Sequence, residues 1–231
     1  PTRRSSDLPI PGVENVDYWT HRDALDNKEV PASLTIVGGG VIGMEFASFF
    51  TSLGVQVTVV EMLDEILGGM DKELSAMLRA EYAKKGIKFL LSTKVVGVSK
   101  EETGITVSYE NADGTGTVTA DKLLMSVGRR PVTKGFGLEN LNLEWTERRC
   151  IKVDEHLQSS VPGVYVCGDL NGVSLLAHTA VREAEVAVHH ITGKEDVMSY
   201  RAIPGVVYTN PEIAGVGMSE EALQRSEEHT S

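Results

Sequence analysis

Six residues, GGGVIG at 38–43, limit what this chain can fold into more than any other stretch. They follow a short apolar run, Leu34, Ile36 and Val37, and lead into Ile42, Phe46, Phe49, Phe50 and Leu53 at helical spacing. That order predicts a buried strand, a tight turn, and a helix that opens inside the glycines. Gly38, Gly40 and Gly43 fit the spacing G-x-G-x-x-G. In such a turn the first glycine permits the bend, and the second lets backbone N–H groups approach a pyrophosphate. The third lets helix and strand pack closely. The positive end of the helix then faces the phosphates. The glycine spacing alone is a weak signal, and a plain strand-to-helix turn could carry it. Its place between strand and helix strengthens it, as does a second strand, Val55 to Val60, that ends in Glu61. A carboxylate about 20 residues beyond the glycines is where a ribose would be held. A dinucleotide-binding unit is therefore expected around Gly38, Gly39, Gly40, Val41, Ile42, Gly43 and Met44, with Glu61 at its edge.

The chain has 231 residues and a formal charge of -11, which disfavours nonspecific nucleic-acid binding. No apolar run approaches the roughly 18 residues that would span a bilayer, so no membrane partner is expected. The two cysteines, Cys150 and Cys167, have neither C-x-x-C nor metal-type spacing. A reduced, cytoplasmic setting without a metal follows as the expectation.

Beyond the first unit, Asp71 can cap a helix whose apolar face is Leu74, Met77, Leu78 and Tyr82, with Gly86 at its end and a strand over Ile87, Phe89 and Leu91. The period then changes. Residues 94–99, 105–109 and 116–120 alternate, with Asp113-Gly114 as a hairpin turn, which predicts a small antiparallel meander. Leu123, Leu124, Met125 and Val127 read as a strand buried on both faces. After an irregular stretch, Val164 to Val166 reads as a short strand ending at Cys167-Gly168-Asp169. A helix with Leu176, Ala180, Val181, Ala184, Val188 and Ile191 on one face follows. His156, His189 and His190 read as surface residues, Cys167 as a buried packing thiol, and Val206 to Tyr208 as a further strand.

Several segments together, LTIVGGGVIGMEFASFF, VTVVE, SVGRRP, VYVCGDL, LLAHTA and YTNPEIAGVGMSEEAL, resemble the flavoprotein disulfide reductases in order and spacing. The likeness is greatest to the branch that oxidises dihydrolipoyl groups. It implies an α/β architecture: a Rossmann-like three-layer NAD domain with an antiparallel β-meander, part of an FAD domain, and the start of an α+β dimerisation domain. The implied boundaries are 9–30 for a crossover segment, 31–130 for the NAD domain, 131–193 for the FAD part and 194–224 for the dimerisation part. The ends, PTRRSSDL and RSEEHTS, resemble translated sequencing-adapter read-through, so 1–8 and 225–231 are expected to be non-native tails on an internal fragment.

The resemblance also implies site roles. Glu45 would lie near the nicotinamide, Glu61 would accept the adenosine ribose hydroxyls, and Val95 would flank the adenine. Gly128 would make a backbone contact to the nicotinamide half. Asp169 would bind the ribityl chain of FAD. Leu175, Leu176, Ala177 and His178 would bring a helix N-terminus to the flavin pyrimidine. No Arg or Lys follows Glu61 until Lys72, which favours NAD over NADP. The family passes electrons through a C-x4-C disulfide and uses a His–Glu acid–base pair. Neither is in this chain, so no catalytic residue is assigned and the chain by itself is expected to be inactive. The implied parent is a homodimer within 2-oxo acid dehydrogenase complexes, with lipoyl domains as substrate. Two alternatives stay open: a relative acting on glutathione, mercuric ion or NADH oxidation, and a non-catalytic NAD(H)-binding module.

Overall fold

The computed structural model describes residues 10–220 and 222–224. The two predicted tails lie outside the described residues. The chain divides into two compact units, Arg129–Ile203 and a larger one formed by residues 10–128 together with 204–224.

The larger unit is built on a parallel sheet. Strand β1 is Ser33–Val37, helix α2 Val41–Ser52, strand β2 Gln56–Val60, helix α3 Lys72–Lys84 and strand β3 Lys88–Leu90. Strand β7, Lys122–Met125, completes a four-stranded sheet in the order β3-β2-β1-β7. The register pairs Ile36 with Val59 on one side and with Leu124 on the other. A short helix, α1 (His21–Asp26), precedes the sheet and is closed by a capping box between Thr20 and Asp23. Trp19 extends the sheet beside β7: its N–H donates to Leu123 O and its carbonyl accepts from Met125 N.

Alternation across the strands separates two cores. Leu34, Ile36, Val57, Val59 and Leu124 face a cluster with Met44, Ala47, Phe50, Leu78 and Tyr82 from the helices. Val37, Leu123 and Met125 face a second cluster with Val98, Ile105 and Val107. Those last residues come from the antiparallel meander β4 (Lys94–Glu101), β5 (Gly104–Asn111) and β6 (Gly114–Ala120). Helices, parallel sheet and meander thus form three layers, the expected α/β arrangement. The antiparallel pair β8 (Pro204–Val207) and β9 (Ile213–Val216) places Val207 and Ile213 in the first of these cores.

The unit Arg129–Ile203 has one long helix, α4 (Ala177–Ile191), and single bridges in place of ladders, among them Val153 with Ser159 and Gln158 with Tyr165. The expected strand over Val164 to Val166 reduces to that one bridge at Tyr165, because Gln158 is its one pairing partner among the described residues.

The faces predicted by apolar spacing hold only in part for α2 and α3, where Phe50, Leu78 and Tyr82 are buried as expected, and not for α4. On α2 the buried side is Gly43, Met44, Ala47, Ser48 and Phe50, while Phe49 is 55% exposed. On α3 it is Ser75, Leu78 and Tyr82, with Leu74 and Met77 exposed. On α4 it is Thr179, Glu183, Val186 and Ala187, with Val181, Val188 and Ile191 exposed. The cause is local in each case. Gly43 must face β1, because a Cβ there would collide with Gly38 O. Tyr82 turns inward to donate to Ser48 Oγ at 2.5 Å and to accept from Asn210 N at 2.9 Å. Glu183 turns inward to accept the N–H of Gly168.

Candidate functional site

The glycine run makes a bend without side chains between β1 and α2. Gly38 sits at φ +104°, and a Cβ there would collide with the carbonyl of Ser126, at the end of β7. Gly38 therefore answers both to a left-handed backbone and to a close approach. At Gly40 a Cβ would meet nothing within 4 Å, so the chain is open to its surroundings at that point. Gly40 is the N-cap of α2, and no side chain caps the first turn. The N–H groups of Val41, Ile42 and Gly43 open the helix and are oriented for an anion.

Glu61 lies in this bend. Its Oε2 accepts the N–H of Gly39 at 2.5 Å and its Oε1 accepts the N–H of Leu63 at 2.8 Å. A Cβ on Gly39 would come within 3.3 Å of Glu61 Oε2, so a larger residue there would displace the carboxylate. Each oxygen retains acceptor capacity after its backbone bond. The loop after Glu61 folds back over the bend, with Leu67 N donating to Gly39 O at 2.9 Å. It is pinned by Glu65, which takes Arg79 Nε at 2.8 Å and Nη2 at 2.9 Å. Burial raises the Glu65 carboxyl, but the guanidinium and the Ile66 N–H outweigh it and hold the group below its ordinary range. Lys72 is engaged with Asp64 at 2.8 Å.

The other residues expected here share the unit. Thr93 N donates to Glu61 O, and Val95 follows two residues later at the start of β4, half-buried beside a bulge. Gly128 is exposed at φ +102° just beyond β7. Met44, on the inner face of α2, is fully buried. The carboxylate of Glu45 accepts the N–H of Tyr208 at 3.0 Å, which ties the start of α2 to the end of β8. That tie was not legible beforehand, because it spans 163 positions of sequence.

The remaining candidates belong to the unit Arg129–Ile203. Asp169 is exposed on a 3-10 turn, Gly168–Leu170, with Gly168 at φ +73°. Leu176 is the N-cap of α4 with no side-chain cap, Ala177 and His178 begin the helix exposed, and Leu175 is 50% exposed. Cys167 is half-buried and packs, with Val153, Tyr165, Tyr200 and Ile203, against the cluster of Leu157, Val186, Ala187 and Met198, as a packing thiol should. Burial first, and the charge of Glu183 second, push its pKa up. Glu183 was missed by apolar periodicity, although a lone acid beside Val186 and Ala187 was the available signal.

The histidines are not plain surface groups. His156 and His190 stack with ring centroids 4.3 Å apart and planes 7° apart. His190 Nδ1 is 2.8 Å from Tyr165 Oη, and His189 Nδ1 is 2.7 Å from Asp196 Oδ2. Among the described residues, no group of three or more His, Cys, Asp or Glu side chains is arranged to hold a metal ion.

A helix opening on a bare glycine bend, with a carboxylate from the neighbouring strand inside it, has the local form of a Rossmann dinucleotide-binding unit. The sequence pattern of the pyridine nucleotide-disulphide oxidoreductases matches residues 3–184, and the chain belongs to that family. Among curated relatives it is similar to dihydrolipoyl dehydrogenase of Thermus scotoductus, with 39% identity over 96% of this chain and 49% of the relative. It is 41% identical to dihydrolipoyl dehydrogenase 3 of Pseudomonas putida over 95% of this chain and 48% of the relative. The mitochondrial human dihydrolipoyl dehydrogenase is 40% identical over 94% of this chain and 44% of its own length. Among solved structures, the copper(II) complex of the HOCl-induced flavoprotein disulfide reductase RclA from Escherichia coli matches with a TM-score of 0.86. It has 27% identity and covers 95% of this chain and 49% of the other. LpdA from Mycobacterium tuberculosis matches with a TM-score of 0.82 and 31% identity, over 90% of this chain and 45% of the other. The chain spans about half the length of the curated relatives it matches. Among the described residues no helix is long and apolar enough to cross a membrane.

Proposed function

We propose that this chain is the nucleotide-binding portion of an FAD- and NAD-dependent disulfide reductase of the dihydrolipoyl dehydrogenase kind. The observation that carries the reading is the Glu61 carboxylate seated in the glycine bend, with Gly39 N–H on one oxygen and Leu63 N–H on the other. In this reading the bare bend at 38–44 holds the pyrophosphate of NAD, through the N–H groups of Val41, Ile42 and Gly43 at the helix start, because those of Gly38, Gly39 and Met44 already donate to Val60 O, Glu61 Oε2 and Gly40 O. Glu61 takes the ribose hydroxyls on its remaining lone pairs. A 2′-phosphate would meet this carboxylate with Lys72 already engaged by Asp64, so NAD is preferred over NADP. In this reading Val95 flanks the adenine, Gly128 makes a backbone contact to the nicotinamide half, and Glu45 lies near the nicotinamide. In the other unit, Asp169 and the uncapped helix start at Leu176, Ala177 and His178 suit the flavin. The N–H groups there can stabilise negative charge on a reduced ring. The two cofactors supply the electron transfer, from dihydrolipoyl thiols through a disulfide to the flavin and on to NAD. The residues of this chain bind, orient and set the local field. A homodimeric parent, lipoyl domains as its substrate within a 2-oxo acid dehydrogenase complex, and a cytoplasmic setting complete the proposal.

Titrating NADH and NADPH against the purified chain by calorimetry tests the site. Glu61→Gln and Glu61→Arg should each weaken NADH binding by about tenfold or more, as expected for loss of a charge-assisted hydrogen bond. The change should be smaller for NADPH. An NADH dissociation constant that does not move in either variant removes Glu61 from the site.

A further inference from the structure

We propose that Glu183 is a positioning residue: its buried carboxylate locks the Gly168–Asp169 turn to helix α4, so that the two elements that face the flavin keep one fixed relation. The inference rests on the flavin reading above and goes beyond it, because Glu183 does not itself face the ligand.

Glu183 is fully buried. A carboxylate in that state is costly unless its oxygens are bonded, and both are. Oε2 accepts the N–H of Gly168 at 2.5 Å, and Oε1 accepts the hydroxyl of Tyr200 at 2.7 Å. The donor Gly168 is the residue immediately before Asp169, and it sits in a left-handed conformation at φ +73°. A Cβ on Gly168 would stand 3.3 Å from Ala180 Cβ, so the turn is pressed against the first turns of α4. Glu183 lies about two helical turns from the start of that helix. One carboxylate thus reaches from the rigid middle of α4 to the main chain of the turn. Tyr200 supports it from the other side. Burial, followed by the hydrogen bond to Glu183, pushes the Tyr200 hydroxyl up, so the phenol stays a donor. A helix N-terminus and an aspartate on separate short elements can serve one ligand only if their spacing is held. The charge-assisted bond to Gly168 N–H is the device that holds it.

A purely structural role for Glu183 would change stability and leave ligand affinities independent of one another. The positioning role makes Glu183 and Asp169 act on FAD affinity as a unit. The test is a double-variant cycle on the whole chain, read by FAD fluorescence quenching, with thermal melting as the control for folding. Glu183→Gln keeps one acceptor oxygen and the side-chain shape. It should weaken FAD about tenfold. Asp169→Ala should do the same, and the combined variant should lose about tenfold rather than about a hundredfold. The Gly168 amide proton should move upfield by NMR in Glu183→Gln, and NADH affinity should stay unchanged. If Glu183→Gln does not fold, Tyr200→Phe leaves the Gly168 bond in place and should show the same coupling to Asp169→Ala with a smaller loss. Additive losses, or an unmoved Gly168 amide, overturn the proposal while the flavin reading stands. An unsubstituted chain that does not quench FAD fluorescence shows that these two elements alone do not make a flavin site, and the role given to Glu183 falls with it.

Discussion

The two units hold their helices by different means. In the larger unit, α2 and α3 lie on a parallel sheet, and a continuous apolar cluster from Leu34 to Ile213 joins them. In the unit Arg129–Ile203 the apolar clusters are small, and carboxylates do much of the joining. Glu183 ties α4 to the Gly168 turn and to Tyr200. Asp196 ties the same helix to the segment after it through Arg182 and His189. Asp154 accepts the N–H groups of both His156 and Gln158. One unit should therefore fail when a cavity is made, and the other when a polar node is cut. The chain carries one tryptophan in each unit, Trp19 and Trp145, so replacing either by phenylalanine lets fluorescence follow the other unit alone.

The largest expected break is Phe50→Ala. Phe50 is 2% exposed and stacks near Trp19, Phe46 and Phe49. Its truncation should cost about 3–5 kcal/mol in the urea transition reported by Trp19. Its neighbour Phe49 is half exposed and gives up mainly an edge contact, so Phe49→Ala should cost less than about 1 kcal/mol. The reverse order would show that α2 is seated by its apolar spacing after all.

That pair also shows where sequence reading reaches and where it stops. The strand–glycine–helix–strand order, the place of Glu61, the Asp71 cap and the antiparallel meander all follow from local chemistry, and each occurs where expected. Apolar periodicity placed every long helix, chose the wrong face for α4, and named only part of the buried face of α2 (Phe50) and α3 (Leu78 and Tyr82). Helix rotation here is set by a single demanding contact: a missing Cβ at Gly43, a phenol at Tyr82, a carboxylate at Glu183. Two of the partners that decide it, Asn210 for Tyr82 and Gly168 for Glu183, lie 128 and 15 positions away. Sequence periodicity contains no record of them. Glu45 illustrates the same gap, since its partner Tyr208 lies beyond the whole second unit in sequence.

A smaller effect sharpens the comparison within the larger unit. Tyr82 is a polar node set in an apolar core, 1% exposed, with bonds to Ser48 and Asn210. Tyr82→Phe keeps the ring and strands both partners. The expected loss is about 1–2 kcal/mol, well below that of Phe50→Ala, and it should appear in the Trp19 transition only. A loss equal to the Phe50 variant would mean that this unit, too, depends chiefly on its polar nodes.

The smallest effect separates the units by pH. Hydrogen bonds from Arg182 and then from His189 hold the Asp196 carboxyl well below its ordinary range. The contacts are close, 2.6 Å to Arg182 Nη2 and 2.7 Å to His189 Nδ1, and the Asp196 side chain is 17% exposed. A group whose folded pKa is depressed adds stability above its unfolded pKa, about 3.9. That stability is lost as pH falls below this value toward the folded one. The Trp145 transition should therefore be insensitive to this group between pH 5 and 7, taken as a range about one unit or more above the unfolded value. It should weaken progressively below about pH 4. In Asp196→Asn the carboxylate is gone, so the stability near pH 7 should be lower and this acid-dependent decline should flatten. The Trp19 transition should keep its own acid response in that variant, because Glu65 and its Arg79 partner are untouched. A Trp145 transition that declines equally steeply in acid with and without the carboxylate would show that Asp196 is a bystander, and that the second unit owes its cohesion to its small apolar clusters.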